Sequence, residues 1–372
     1  MNGILEMARL EAINDLRRHT AALGDELRDC VGRVIDSGWF VLGRELEAFE
    51  AEFAAYCGTG HCIGVANGTD ALELALRASG AGPGGRVLTV ANAGAYSTTA
   101  IRAAGAEPVF VDIDDDSLLI DEAEARRQLA AARPAALIVT HLYGRLVPGI
   151  EAIAAAARDA GVPLIEDCAQ AHGARLGGRM AGTFGDFGCF SFYPTKNLGA
   201  LGDGGALVTG SAERRDRVRM LRQYGWAGKY RIELAGGRNS RLDEVQAAVL
   251  RAKLPRLDGW NERRREIARQ FTRGIRHPRV GCPPPGGEDY VAHLYVVRTV
   301  DRQSLQAHLR LRGIATDIHY PLLDYQQSAF GAGGGHSNPV AERACREVLT
   351  LPCFPEMTDD EVAAVVEAVN AW

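Results

Sequence analysis

The stretch FSFYPTKNLGALGDGGAL, residues 190–207, places a lysine in a turn directly after a strongly apolar run. The run predicts a buried strand over Cys189 to Tyr193, so Lys196 differs from the lysines that decorate helix surfaces. Partial desolvation in such a turn lowers the amine's pKa and favours imine formation with a carbonyl. The competing use of the same amine is as a point charge for a phosphate or carboxylate. The lysine inventory narrows the choice, because only Lys196, Lys229 and Lys253 are lysines among 42 basic residues. Lys253 falls within a helix rich in polar residues and is expected to be solvated, whereas Lys229 lies in a glycine-containing loop from which it can reach a substrate.

Outward from this turn, short apolar runs alternate with amphipathic stretches from about Cys62 to Thr209. His61 to Ala66, Arg86 to Val90, Pro108 to Val111, Ala135 to Thr140, Pro163 to Glu166, Cys189 to Tyr193 and Ala206 to Thr209 read as strands. Thr69 to Ser79, Asp121 to Ala132 and Ile150 to Ala160 read as helices between them, the second opened by a capping-box-like Asp121 and Glu124. This alternation predicts an α/β fold with a mostly parallel sheet covered on both faces, where ligands gather beyond the carboxyl ends of the strands. Ahead of it, Glu45 to Tyr56 sets Leu46, Phe49 and Phe53 on one helical face, to pack on the large domain or a second subunit. After Arg241 the chain turns helical through Arg276, with a kink or break at Pro255, and CPPPGG at 282–287 forms a stiff connector. Tyr290 to Thr299, a helix from Asp301 to Arg312, a strand around Ile314 to Tyr320 and a capped helix from Thr358 then suit a small α+β domain. Gly331 to Gly335 reads as a flexible surface loop.

Two further segments end predicted strands with small or polar residues. Asn67, Gly68, Thr69 and Asp70 precede a helix whose N-terminus offers free N–H groups to a phosphate, although a plain turn with Thr69 or Asp70 as its N-cap explains the same residues. Glu166 to His172 follow the apolar strand at Pro163 to Ile165. A carboxylate there can hold a protonated pyridine nitrogen, or it can cap backbone N–H groups. Asp167 precedes Lys196 by 29 residues (196 minus 167), enough for one more strand, so both can face one cofactor from neighbouring strand ends. Gly80, Gly82 and Gly85 fit a dinucleotide fingerprint, but they follow a helix and lead into a strand, the reverse of the phosphate-binding order. His141 and His172 lack a third ligand at metal spacing and are expected to form hydrogen bonds near the site.

Composition excludes several classes. The formal net charge of -5 and pI near 6.0 lack the basic surplus that nucleic acid demands. The N-terminal stretch interrupts its apolar residues with Glu6, Glu11 and Asp15, unlike a secretory leader, and no run approaches a membrane span. Eight scattered cysteines without a CxxC pair suit reduced, mostly buried thiols in the cytoplasm.

VANGTDALELAL (65–76), THLYG (140–144), EDCAQAHGA (166–174), FSFYPTKNLGALGDGGAL (190–207), NSRLDEVQAAVL (239–250) and IHYP (318–321) together resemble the DegT/StrS family of fold type I sugar aminotransferases, in order and over nearly the whole chain. The resemblance implies a large cofactor-binding α/β domain over 1–255, N-terminal helices included, and a smaller C-terminal α+β domain over 256–372. It implies a homodimer with shared active sites that binds pyridoxal 5'-phosphate and passes through the pyridoxamine form. Lys196 would hold the cofactor covalently, Asp167 would pair with its pyridine nitrogen and Gln170 would lie near its phenolic oxygen. Gly68, Thr69 and Ser191 would bind its phosphate, with Asn239 arriving from the other subunit. Tyr96 matches the ring-stacking aromatic, although VANAGAYSTTA departs from the usual pattern, which carries a proline here. L-glutamate is the implied amino donor and a keto sugar nucleotide the acceptor, with Lys229, Tyr230, His319 and Tyr320 as substrate-binding residues. DSGWFVLGRELEAFEAEFAAYCG (36–58) and the pair at 229–230 resemble most the enzymes acting on thymidine diphosphate 3-keto-6-deoxyhexoses for antibiotic sugars. A 4-keto sugar nucleotide and a keto-cyclitol are the alternatives. A sugar dehydratase of this scaffold replaces the lysine with histidine, which Lys196 argues against, and a cofactor-binding sensor without turnover is the rival from another class.

Overall fold

The computed structural model describes residues 10–330 and 336–372, so the stretch 331–335 expected as a loop lies outside the described residues. Seven strands form the main sheet: β1 (His61–Val65), β2 (Arg86–Val90), β3 (Glu107–Val111), β4 (Ala136–Thr140), β5 (Leu164–Asp167), β8 (Phe187–Ser191) and β9 (Gly205–Thr209). Between β5 and β8 lies the small hairpin β6 (Arg175–Leu176) and β7 (Arg179–Met180). A second hairpin, β10 (Trp226–Gly228) and β11 (Arg231–Ile232), follows β9, and β12 (Tyr295–Arg298) pairs with β13 (Val348–Leu351) in the C-terminal part.

The order across the main sheet is β1-β9-β8-β5-β4-β2-β3. Every pairing from β8 to β3 is parallel; β9 alone runs against its neighbours β8 and β1. All five residues of β4, ALIVT, are buried, as parallel strands covered by helices on both faces require. Alternation divides them. Leu137 and Val139 join the cluster holding Phe49, Phe53, Phe190 and Phe192, while Ala136 and Ile138 face Ile63, Leu74, Ile165 and Phe187 on the other side. The helix Arg44–Cys57 thus packs Leu46, Phe49 and Phe53 on the sheet of its own subunit.

A separate apolar cluster gathers Phe271, Tyr295, Val297, Leu305, Leu309, Leu349, Leu351, Phe354, Val362 and Val365. Its helices are Leu257–Gly274, Arg302–Leu311 and Asp359–Asn370, the last opened by the expected capping box of Thr358 and Glu361. Pro255 breaks the preceding helix, Glu244–Lys253, through the short turn Leu254–Arg256.

Three local expectations are corrected. The strand expected over Cys189 to Tyr193 spans Phe187–Ser191, because β9 pairs with it only as far as Ser191 opposite Gly205. Ile314 to Tyr320 is no strand: Ile314 bridges Leu10 and Asp317 bridges Thr350, single contacts on different neighbours that build no ladder. Lys253 is not solvated but 2% exposed, its Nζ donating to Gly199 O at 2.7 Å. The polar pattern of its helix hid this, since the side chain crosses beneath the glycine-rich loop after Lys196. Gly80, Gly82 and Gly85 form an αβ connection, as expected.

Candidate active site

Parallel strands deliver their carboxyl ends to one edge, and that edge gathers the residues singled out in the sequence. At the end of β5, successive side chains point to opposite faces and divide the work of two adjacent carboxylates. Glu166 accepts the backbone N–H groups of Gly182 (2.8 Å), Phe184 (2.6 Å) and Gly185 (2.6 Å) and pairs with His141 Nε2 at 2.9 Å. That carboxylate is structural. The buried atoms of His141, Glu166 and Cys168 lie close enough to hold a metal, but the carboxylate is already saturated and His141 Nδ1 accepts from Val147 N–H at 3.1 Å. Asp167, 5% exposed, accepts the Ala169 N–H at 3.1 Å and faces the Lys196 side.

Lys196 occupies a turn closed by its own N–H on Tyr193 O at 2.8 Å. Burial pushes its amine down to about 8, and the Asp167 carboxylate partly opposes this. Burial pushes Asp167 up, opposed by the Ala169 N–H and by Lys196. No hydrogen bond reaches Lys196 Nζ among the described residues. The adjacent Asn197 is anchored in a buried polar network, donating through Nδ2 to Asn261 Oδ1 (2.8 Å) and Val291 O (3.1 Å). Its Oδ1 pairs with His293 Nδ1 at 2.9 Å, and Asn261 donates onward to His172 O at 2.8 Å. Asn261 and His293 come from distant segments, so no local pattern could have pointed to them. His172 itself is buried between Phe190 and Phe192 with neither ring nitrogen well paired, contrary to its expected hydrogen bonding. Burial, and secondarily Lys196, pushes that imidazole down to about 3 and keeps it neutral.

Across the sheet, Asn67, rather than Thr69 or Asp70, caps the helix Gly68–Ala78 by accepting the Asp70 N–H at 2.8 Å, so both of those residues lie within its first turn. The N–H groups of Gly68 and Thr69 stay free among the described residues. A Cβ on Gly68 would lie 2.7 Å from Ser191 Cβ, so only glycine lets this helix start against the end of β8. Gln170 is held at both ends: its Oε1 accepts the Tyr143 N–H at 2.6 Å and its Nε2 donates to Tyr320 Oη at 3.2 Å. Tyr143, whose hydroxyl donates to His319 O at 2.7 Å, takes φ 62° and lies in the quoted THLYG segment, yet sequence reasoning gave it no role. Tyr96 stands edge-on to Tyr320, ring centroids 6.1 Å apart. His319 pairs through Nδ1 with Thr350 Oγ1 at 2.8 Å. Lys229 and Tyr230 are exposed on the β10–β11 hairpin and Asn239 is exposed beside Gln223; none of the three bonds to this pocket among the described residues.

A free amine, a buried carboxylate without a bonded cation and a pair of open helix N–H groups within one strand edge fit pyridoxal 5'-phosphate. The family model for the DegT/DnrJ/EryC1/StrS aminotransferase family matches residues 21–370. The chain is 44% identical over 362 residues to the dTDP-3-amino-3,4,6-trideoxy-alpha-D-glucose transaminase of Streptomyces venezuelae, covering 96% of this chain and 95% of that one. It is likewise 44% identical over 359 residues to the dTDP-3-amino-3,6-dideoxy-alpha-D-galactopyranose transaminase of Aneurinibacillus thermoaerophilus, covering 96% and 98%. The crystal structure of DesV from S. venezuelae, in complex with a ketimine intermediate, superposes with a TM-score of 0.93 at 44% identity over 98% of each chain.

Proposed function

The chain belongs to the DegT/DnrJ/EryC1/StrS aminotransferase family and is a pyridoxal 5'-phosphate enzyme; from that premise we propose that it moves an amino group from L-glutamate to a dTDP-3-keto-6-deoxyhexose. The observation that carries the reading is the Lys196 amine, lowered to about 8, beside the buried Asp167 carboxylate. The two relatives whose names specify 3-amino-deoxyhexoses support the choice of sugar.

When bound, the cofactor supplies an aldehyde and a ring that accepts electrons from the substrate carbon. Lys196 would capture that aldehyde. Once displaced by the incoming amine, it would carry a proton between the substrate carbon and C4′ of the cofactor, a task for which an amine near neutral pKa is suited and an arginine is not. Asp167 would hold the proton on the ring nitrogen, and the cation so formed offsets the cost of a buried carboxylate. The N–H groups of Gly68 and Thr69 and the Ser191 hydroxyl would bind the phosphate, Gln170 would lie at the ring oxygen and Tyr96 would stack on the ring.

Asn239, Lys229 and Tyr230 would complete the site of a second subunit. Trp39, Phe40, Tyr230 and Ile232, each at least half exposed, supply apolar surface for such a homodimer. In each site the partner subunit's Asn239 would reach the phosphate, while His319 and Tyr320 would face the sugar. No helix among the described residues is long and apolar enough to cross a membrane, and we place the enzyme in the cytoplasm, with the C-terminal unit beginning at residue 256.

Incubating the holoenzyme with glutamate and a panel of 3-keto and 4-keto sugar nucleotides and keto-cyclitols tests the reading, with products identified by mass spectrometry and NMR. A 3-amino sugar nucleotide is expected. Amination of the 4-keto compounds alone would reassign the substrate, and no amination at all would leave a sensor or a dehydratase.

A further inference from the structure

The helix Tyr96–Ala103 begins abnormally. Its cap residue Ala95 lies in the left-handed region at φ 64° and ψ 7°, after Gly94 at φ 77°. A non-glycine residue is strained there and persists only where its surroundings over-determine it. Alanine also has no side chain to satisfy the open N–H groups of the first turn.

The missing cap comes from 229 residues further along the chain. Asp324, 1% exposed, accepts the Ala95 N–H through Oδ1 at 2.9 Å and the Thr98 hydroxyl through Oδ2 at 2.5 Å. Its own N–H donates to Ala91 O at 2.8 Å, so backbone and side chain both grip the turn. No ion pair reaches this carboxylate among the described residues. Burial pushes the carboxyl up to about 7, opposed by Thr98 and Ala95. A buried carboxylate without a cation is costly, and this one is spent on a single turn. That turn sets the direction of Tyr96, a residue 52% exposed whose ring stands edge-on to Tyr320. The packing leaves no slack: a Cβ on Gly94 would lie 2.9 Å from both the Tyr96 and Tyr320 rings.

We propose that Asp324 is a positioning residue, which locks the left-handed turn at Ala95 from the C-terminal part of the chain and so aims the Tyr96 ring at the cofactor. The inference rests on the reading of Tyr96 as the ring-stacking aromatic.

The test is a cycle of Asp324→Ala, Tyr96→Ala and the double variant, read by equilibrium dialysis of pyridoxal 5'-phosphate and by amide hydrogen exchange of residues 95–99 in the apoprotein. Asp324→Ala is expected to weaken cofactor binding about tenfold, the population shift that losing one helix cap permits. Exchange at these amides accelerates. The double variant binds no more weakly than Tyr96→Ala alone, because Asp324 acts through that ring. Additive losses, or unchanged exchange in Asp324→Ala, overturn the proposal. Unchanged affinity in Tyr96→Ala refutes the stacking reading instead, and with it the purpose assigned to Asp324. Should Asp324→Ala not fold, Asp324→Asn carries the same cycle: its amide accepts from only one of the two donors, so exchange still rises and the losses must still be non-additive.

Discussion

Replacing Asp167 by asparagine should make Lys196 of the apoprotein more reactive, not less. An ordinary lysine near 10.5 is only about 0.1% neutral at about pH 7.5, whereas one at about 8 is roughly 24% neutral, a gain of some 240-fold in the nucleophilic form. Burial produces that gain and the Asp167 charge restrains it. An opposite charge at close range is worth roughly one pH unit or more, so Asp167→Asn should bring the midpoint to about 7 or below and the neutral fraction at about pH 7.5 to some 75%. The assay is modification of apoprotein by a trace of amine-acylating reagent over a range of pH, with peptides resolved by mass spectrometry. Three lysines make the map simple. Lys253, also pushed down to about 8 by burial, provides a control, because its Nζ is held on Gly199 O and should stay unmodified while the protein is folded. A wild-type midpoint near 10.5, or an upward movement in Asp167→Asn, would refute the electrostatic account of the site.

Lys253→Met separates a buried charge from its packing. The folded chain releases the Lys253 proton near 8 and the unfolded chain near 10.5, so the penalty is present below about 8 and relieved as pH rises between those values. Denaturant titrations should therefore show wild type gaining on the variant by up to roughly 3 kcal/mol from neutral to strongly alkaline pH, and a gap independent of pH would contradict this. Gly68→Ala drives a methyl to 2.7 Å from Ser191 Cβ; overpacking of that kind should weaken cofactor affinity roughly tenfold or more, and wild-type affinity in equilibrium dialysis would show that the contact relaxes freely. Mixed dimers of Asn239→Ala and Lys196→Ala subunits should recover at most about a quarter of wild-type activity through one intact site per heterodimer. No recovery above the homodimers would place Asn239 outside the neighbouring site.

The legible part of the molecule was the part whose signals are local. Apolar runs between helical stretches located the seven strands of the main sheet, and Thr358 and Pro255 marked helix limits where they act, whereas the cap expected at Thr69 or Asp70 falls on Asn67. The residues about Lys196 could be grouped because parallel strands bring their carboxyl ends to one edge whatever the loops do. What stayed hidden depends on long-range partners. Nothing in the pattern of Glu244–Lys253 tells that Lys253 turns inward, nor that Asn197 meets Asn261 and His293. Asp167 and Glu166 are equivalent in sequence; only the three N–H groups that converge on Glu166 separate the scaffold acid from the exposed-to-pocket one. Asp324 is silent for the same reason, since its partners lie at positions 95 and 98.

The anchoring of Asn197 has a mechanical corollary. Asn261 sits in the long helix Leu257–Gly274 and Val291 and His293 in the segment that leads to β12, so the peptide carrying Lys196 is bolted to the C-terminal half by short polar links. A clam-shell hinge between the halves would tear those links and swing the amine out of register. Substrate entry that keeps the amine in register would have to leave these links intact, with the two halves holding still around the nitrogen they share.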